Sequence, residues 1–201
     1  MKTVVVATNN AHKAEEIANA LQIDGWEFKT LRELGVVSDP VEDALTFEGN
    51  VLIKARAAFE RCGGLAVIAD DSGIEVDALD GRPGVFSARY AGEACDDEAN
   101  NNKLLAELDG LPFAERTARY VCVLAYINEE GTEITAQGRV EGKIGFERRG
   151  SAGFGYDPLF FPDEYHGEKT FAEVTQAEKA LISHRGRALN ELKEKILLQL
   201  S

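Results

Sequence analysis

An α/β fold is predicted, a mixed central sheet with flanking helices arranged as two lobes. Three observations predict it. Thr3 to Ala7 and Leu65 to Ala69 are continuous apolar runs, the pattern of strands buried on both faces. Between and after them lie stretches with apolar residues at helical spacing, such as Phe47, Val51, Ala55, Ala58, Phe59 and Cys62. The middle of the chain, Thr117 to Asn128 and Thr132 to Ile144, has the look of a long hairpin turning at Glu129-Glu130-Gly131, segregated from the rest.

The elements follow in order. Thr3 to Ala7 is the first strand, and Ala11 to Leu21 a helix with Ala14, Ile17, Ala18 and Leu21 on one face. Trp26 to Leu31 is a second strand, leading into an irregular acidic segment through Asp43. Thr46 to Cys62 is a strong helix stopped by Gly63-Gly64. Leu65 to Ala69 is a further buried strand and Ile74 to Ala78 another. Gly81 to Gly92 is loop or irregular strand. Asp96 to Leu108 is a helix whose acidic start suits its dipole. After the hairpin come a glycine-rich loop over Gly145 to Asp157 and a short strand at Leu159 to Phe161. Helices over Ala177 to Ile182 and His184 to Leu200 close the chain. No repeat, linker or low-complexity tract interrupts it, so residues 1–201 are expected to form a single domain.

Composition excludes several classes of function. The chain has 22 Lys and Arg against 35 Asp and Glu, a formal net charge of -13. Broad binding to nucleic acid or to an anionic membrane needs the opposite sign. A small anion would need a local island of cations, assisted by a metal. Cys62, Cys95 and Cys122 are spaced too irregularly for a zinc site or a disulfide framework. The start of the chain offers only Val4 to Ala7 before polar residues, too short for a signal peptide or a span. A cytoplasmic protein is expected.

Chemistry concentrates in five places. Thr8-Asn9-Asn10-Ala11-His12-Lys13 joins the first strand to the first helix, where free N–H groups, short polar side chains and one lysine suit an anion. A capped turn with an incidental lysine explains it equally well. Thr46, Asn50 and Lys54 share one side of a helix, and Glu42 and Asp43 precede them; a solvated face is the plain alternative. Asp70-Asp71-Ser72-Gly73 ends a buried strand, a position where ligands gather in open sheets. Alternation sends the two carboxylates to opposite sides, so one of them faces a given ligand. Asp71 with Ser72 could hold Mg²⁺ or activate water, whereas an Asx turn would need neither. Gly153-Phe154-Gly155-Tyr156-Asp157-Pro158 combines glycines that admit close approach with aromatics that cover a flat ring. Ser183-His184-Arg185, four residues after Lys179, offers donors for the ring's edge.

Taken together these segments resemble the inosine triphosphate pyrophosphatase family. Thr8-Asn9-Asn10 with Lys13, Thr46-Phe47 with Asn50, Ala69 to Gly73, Gly153 to Pro158 and Ser183-His184-Arg185-Gly186 stand in the family's order, from end to end of the chain. Two positions depart from the pattern: Ala44 replaces a usual Gly, and Ala177 a frequent Glu.

The resemblance implies hydrolysis of dITP, ITP and XTP to monophosphate and pyrophosphate in a nucleotide cleft between two lobes. It implies Mg²⁺ as cofactor, a small-molecule nucleotide as partner, and a homodimer. Asp71 becomes the general base and a metal contact, Glu42 the second metal carboxylate, and Asp70 a supporting acid. Substrate contacts fall to Thr8, Asn9, Asn10, Ala11, His12, Lys13, Asn50, Lys54 and Ser72 on the phosphate side. On the base side they fall to Phe154, Gly155, Tyr156, Asp157, Lys179, His184 and Arg185. An Arg185 donor would accept a 6-oxo group and mismatch adenine, a difference of about 1–3 kcal/mol, yet would not by itself reject GTP. Two alternatives stay open: a Maf-like nucleotide pyrophosphatase with another base preference, and a nucleotide-binding regulator without catalysis.

Overall fold

A computed structural model describes residues 1–8 and 10–200, without the side chains of residues 11, 12 and 200. Six strands form one sheet in the order β2-β1-β3-β4-β5-β6. They are β1 (Lys2–Ala7), β2 (Trp26–Thr30), β3 (Ala66–Val76), β4 (Thr117–Ile127), β5 (Glu133–Ile144) and β6 (Phe160–Pro162). The helices are α1 (Ala11–Ala20), α2 (Phe47–Arg61), α3 (Asp97–Glu107), α4 (Gln176–Ile182) and α5 (His184–Leu200). β1 runs parallel to both β2 and β3, and β5 antiparallel to β6, so the sheet is mixed.

Two expectations are corrected. β3 is one strand, not two: it passes straight through Asp70-Asp71-Ser72-Gly73. Turn-forming composition fails to turn the chain there because both carboxylates receive cationic partners while extended, as described below. The hairpin is also not segregated. Its first strand, β4, lies beside β3 and is buried along nearly all its length, whereas β5 alternates buried and more exposed residues. A strand buried on both faces belongs inside a sheet.

The chain forms two compact units. The first comprises Met1–Asp71, Cys122–Gly138 and Arg185–Ser201; the second Ser72–Val121 and Arg139–His184. Each has its own core. In the first, Val4, Ile17, Leu21, Ile68, Leu124, Leu192 and Ile196 pack together. In the second, Ile74, Leu104, Leu108, Tyr120, Ile144, Phe160 and Phe171 do so. Burying such side chains contributes roughly 1.5–3 kcal/mol each, which is the driving force for both.

Helix ends follow from local chemistry. Thr46 accepts the Gly49 N–H and starts α2, a cap that contributes about 1 kcal/mol. Asp96 accepts from Glu98 and Ala99 at the start of α3, and Thr175 with Glu178 forms a capping box on α4. Among the described residues no helix is long and apolar enough to cross a membrane. All three cysteines are free.

Candidate functional site

The register of β1 against β3 pairs Ala7 with Ala69. The turn that follows β1 therefore starts level with the residue before Asp70. In that turn Thr8 Oγ1 accepts the Asn10 N–H at 3.2 Å, and Asn10 Oδ1 accepts the Lys13 N–H at 3.2 Å. Asn10 is thus the cap of α1, whose first turn holds Lys13 and no acid. Asn9 lies outside the described residues, as do the side chains of Ala11 and His12.

Asp70 is buried between two cations and a thiol. Its Oδ1 accepts from Lys13 Nζ and its Oδ2 from Arg185 Nε at 3.0 Å, with Cys122 Sγ 3.1 Å from Oδ2. Burial would lift this carboxyl, but Arg185 and then Lys13 outweigh burial and hold it well below the usual carboxylate range. Arg185 in turn donates Nη1 to Glu16 at 2.5 Å and is 2% exposed. Sequence reasoning placed Arg185 at a base edge; the structure commits two of its nitrogens to carboxylates.

Asp71 has a different environment. Its Oδ1 accepts from Lys54 Nζ at 2.8 Å, and the same ammonium reaches Glu42 Oε2 at 2.8 Å. Asp71 Oδ2 is buried without a hydrogen-bond partner. Burial is the largest influence on Asp71 and raises its pKa, Lys54 offsetting it only in part. Lys54 is raised as well, because Asp71 and Glu42 outweigh its burial and keep it charged. The two neighbouring carboxyls on β3 are therefore driven apart, one firmly ionised and one more basic.

Asn50 serves this cluster from one side. Fully buried, it accepts the Ala44 N–H at 3.0 Å and so braces the segment that carries Glu42. Ala44 itself lies against Gly49: a Cβ at Gly49 would come within 2.6 Å of the Ala44 Cβ. Among the described residues no group of three or more His, Cys, Asp or Glu side chains could hold a metal ion. The Glu42–Asp71 pair does suit a hard cation that takes one or two carboxylates and shares the rest of its shell with phosphate and water. The unpartnered Asp71 Oδ2 is the observation in favour.

In the second unit the glycine–aromatic loop centres on Asp157. Its Oδ2 accepts the Phe154 N–H at 3.0 Å and Lys179 Nζ at 2.5 Å. Lys179 is buried and lies 4.9 Å from the Phe154 ring centroid, a cation–π contact. Gly153, at φ +77°, must be glycine twice over, since a Cβ would also strike the Asp157 carboxylate. Tyr156 departs from expectation: it packs in the core and donates its hydroxyl to the Ser87 carbonyl at 2.8 Å, leaving Phe154 as the loop's ring-covering aromatic. His184 stacks on Tyr120 at 4.6 Å and 8°. Ser72, half-buried, continues β3.

Sequence reasoning missed Glu16, Cys122, Asp97 and Asn101. Glu16 stands three residues after Lys13 on α1, a spacing that puts both on one side of the helix. The others carry no local signal, because their partners are more than fifty residues away.

Fold and clusters together define an α/β protein with a buried carboxylate–lysine centre in one unit and an aromatic loop pinned by a buried ion pair in the other. The chain belongs to the Ham1 family, whose model matches residues 4–195. It is 49% identical to the dITP/XTP pyrophosphatase of Desulforamulus reducens, over 95% of this chain and 94% of that protein. It is 46% identical to the dITP/XTP pyrophosphatase of Clostridium tetani, over 98% and 96%. The Ham1 protein of Staphylococcus aureus superposes with a TM-score of 0.88 at 37% identity, covering 98% of this chain and 100% of that one. A HAM1 protein from Coxiella burnetii gives 0.88 at 38%, covering 98% and 99%.

Proposed function

We propose that this chain hydrolyses dITP, ITP and XTP to the monophosphate and pyrophosphate, removing deaminated purine nucleotides from the pool. The observation that carries the reading is Asp71: a buried carboxyl with one oxygen on Lys54 and the other unpartnered, its pKa raised by burial. A carboxylate in that state is suited to take a proton from water. Kinship with proteins named dITP/XTP pyrophosphatase supplies the substrate class.

Water attacks the α-phosphorus and pyrophosphate leaves. Such transfer depends on positioning and on neutralising charge. Asp71 accepts the proton. Lys13 and Lys54 turn their ammonium groups from carboxylates towards phosphate oxygens, and Thr8 and Asn10 before α1 add donors, a role the family resemblance extends to Asn9, Ala11 and His12. Asn50 keeps Glu42 in place. Glu42 and Asp71 would hold Mg²⁺, which when bound supplies positive charge against the phosphates. Phe154 covers the base, Gly155 and Tyr156 fix its loop, and Asp157, Lys179 and His184 surround its polar edge. Ser72, the next residue of β3, adds a hydroxyl on the face opposite Asp71. The protein works as a cytoplasmic homodimer on a free nucleotide, with neither nucleic acid nor membrane as partner, as the net charge of -13 favours.

The test is a substrate panel with Mg²⁺: dITP, ITP, XTP, dUTP and methylated nucleotides, scored by pyrophosphate release. Selective turnover of the first three is expected. Preference for dUTP or methylated nucleotides overturns the base assignment, and binding of dITP without pyrophosphate release overturns the catalytic one.

A further inference from the structure

Three asparagines follow one another inside α3: Asn100, Asn101 and Asn102. Asn is a poor residue for a helix interior, because its side chain competes for backbone groups. Here each one reaches a loop instead. Asn100 accepts the Ala91 N–H at 2.6 Å and donates to the Ala88 carbonyl at 2.9 Å. Asn102 accepts from Arg148 at 2.9 Å. Asn101 donates Nδ2 to the Gly155 carbonyl at 2.9 Å.

Asp97 stands one turn before Asn101 and accepts the Gly155 N–H at 2.7 Å. One face of α3 therefore takes both backbone polar groups of the residue next to Phe154. Gly155 has φ +61°, so the chain bends at the point where α3 grips it. The grip is also costly to Asn101. It is 3% exposed, and its Oδ1 has no hydrogen-bond partner. Packing alone would be served better by a leucine, which leaves no buried amide half satisfied.

We propose that Asp97 and Asn101 are positioning residues that set the pose of Phe154 over the purine, and so determine base affinity from outside the base pocket. The inference rests on the functional reading above. Neither residue touches the base: both act through the Gly155 backbone. Asp157 and Lys179 hold the loop from another side, and Tyr156 anchors it to Ser87, so α3 is one of several tethers that fix its pose.

Steady-state kinetics on dITP with Mg²⁺ test this with Asp97→Ala, Asp97→Asn and Asn101→Leu. Asp97 is exposed, so Asp97→Ala tests the tether without hollowing the core. Losing one tether hydrogen bond should raise KM about tenfold while kcat stays within about threefold. Asp97→Asn keeps an acceptor oxygen and should restore a KM near that of the wild type. A KM unchanged in Asp97→Ala and Asn101→Leu overturns the proposal, as does an Asp97→Asn defect equal to that of Asp97→Ala. Loss of kcat in proportion to lost folded protein, at constant KM, also overturns it. Wild-type protein that releases no pyrophosphate from dITP overturns the functional reading, and this inference with it.

Discussion

Asp70 Oδ2 accepts Arg185 Nε at 3.0 Å, and neither side chain is more than 2% exposed. The pair joins β3 to the start of α5 within the first unit and is completed by Lys13 on one side and Glu16 on the other. A buried pair of this kind need not stabilise the fold by much, but breaking it leaves a buried charge unanswered. Asp70→Asn should therefore destabilise the protein by about 3–5 kcal/mol. Urea unfolding measures it, and a change below about 1 kcal/mol would show that Glu16 alone suffices for Arg185.

The neighbouring residue should behave in the opposite way. Asp71 is held by a single lysine that also has Glu42, and burial disfavours its charge. Asp71→Asn should lower kcat for dITP by about 10²- to 10⁴-fold, with stability unchanged or slightly increased and dITP still bound. Pyrophosphate release and calorimetric titration read the two effects separately. Near-normal turnover would remove Asp71 from the role of base.

The contact between Ala44 and Gly49 predicts a coupled pair. An alanine at Gly49 would force the two Cβ atoms to 2.6 Å and push on the segment that carries Glu42. Gly49→Ala should cost about 1–3 kcal/mol. Ala44→Gly in that background should recover most of the loss, since residues in contact couple. Denaturation of the two single variants and the double variant closes the cycle, and simple additivity would contradict the contact.

Tyr90 predicts a pH effect on stability. It donates its hydroxyl to Glu107 at 2.6 Å, and burial, then Glu107, pushes its pKa up to about 12. Below about pH 10 the phenol is neutral in both folded and unfolded chains, and its contribution is fully present. From there to about pH 12 the unfolded chain ionises first, so stability is lost as pH rises. Wild-type protein should lose stability more steeply than Tyr90→Phe between pH 9 and 12 by urea unfolding at stepped pH (~10 being the free phenol value). Parallel curves would show that the hydrogen bond does not hold the proton.

Much of this protein was legible in its sequence. Apolar runs and helical stripes located nearly every element, because burial period is a local property: Val4 to Ala7 and the α2 stripe appear as expected. The residues of both clusters were also legible as chemistry. What the tertiary structure alone decided is how they are partnered. Asp70-Asp71-Ser72-Gly73 has the composition of a turn, and becomes strand because Lys13 and Arg185 answer one acid while Lys54 answers the other. Tyr156 entered the core and Arg185 joined two carboxylates for the same reason. Hydrogen bonds and ion pairs in a low-dielectric interior are set by groups brought together from distant parts of the chain. Sequence spacing identifies the residue types, and only the fold assigns each charge its partner.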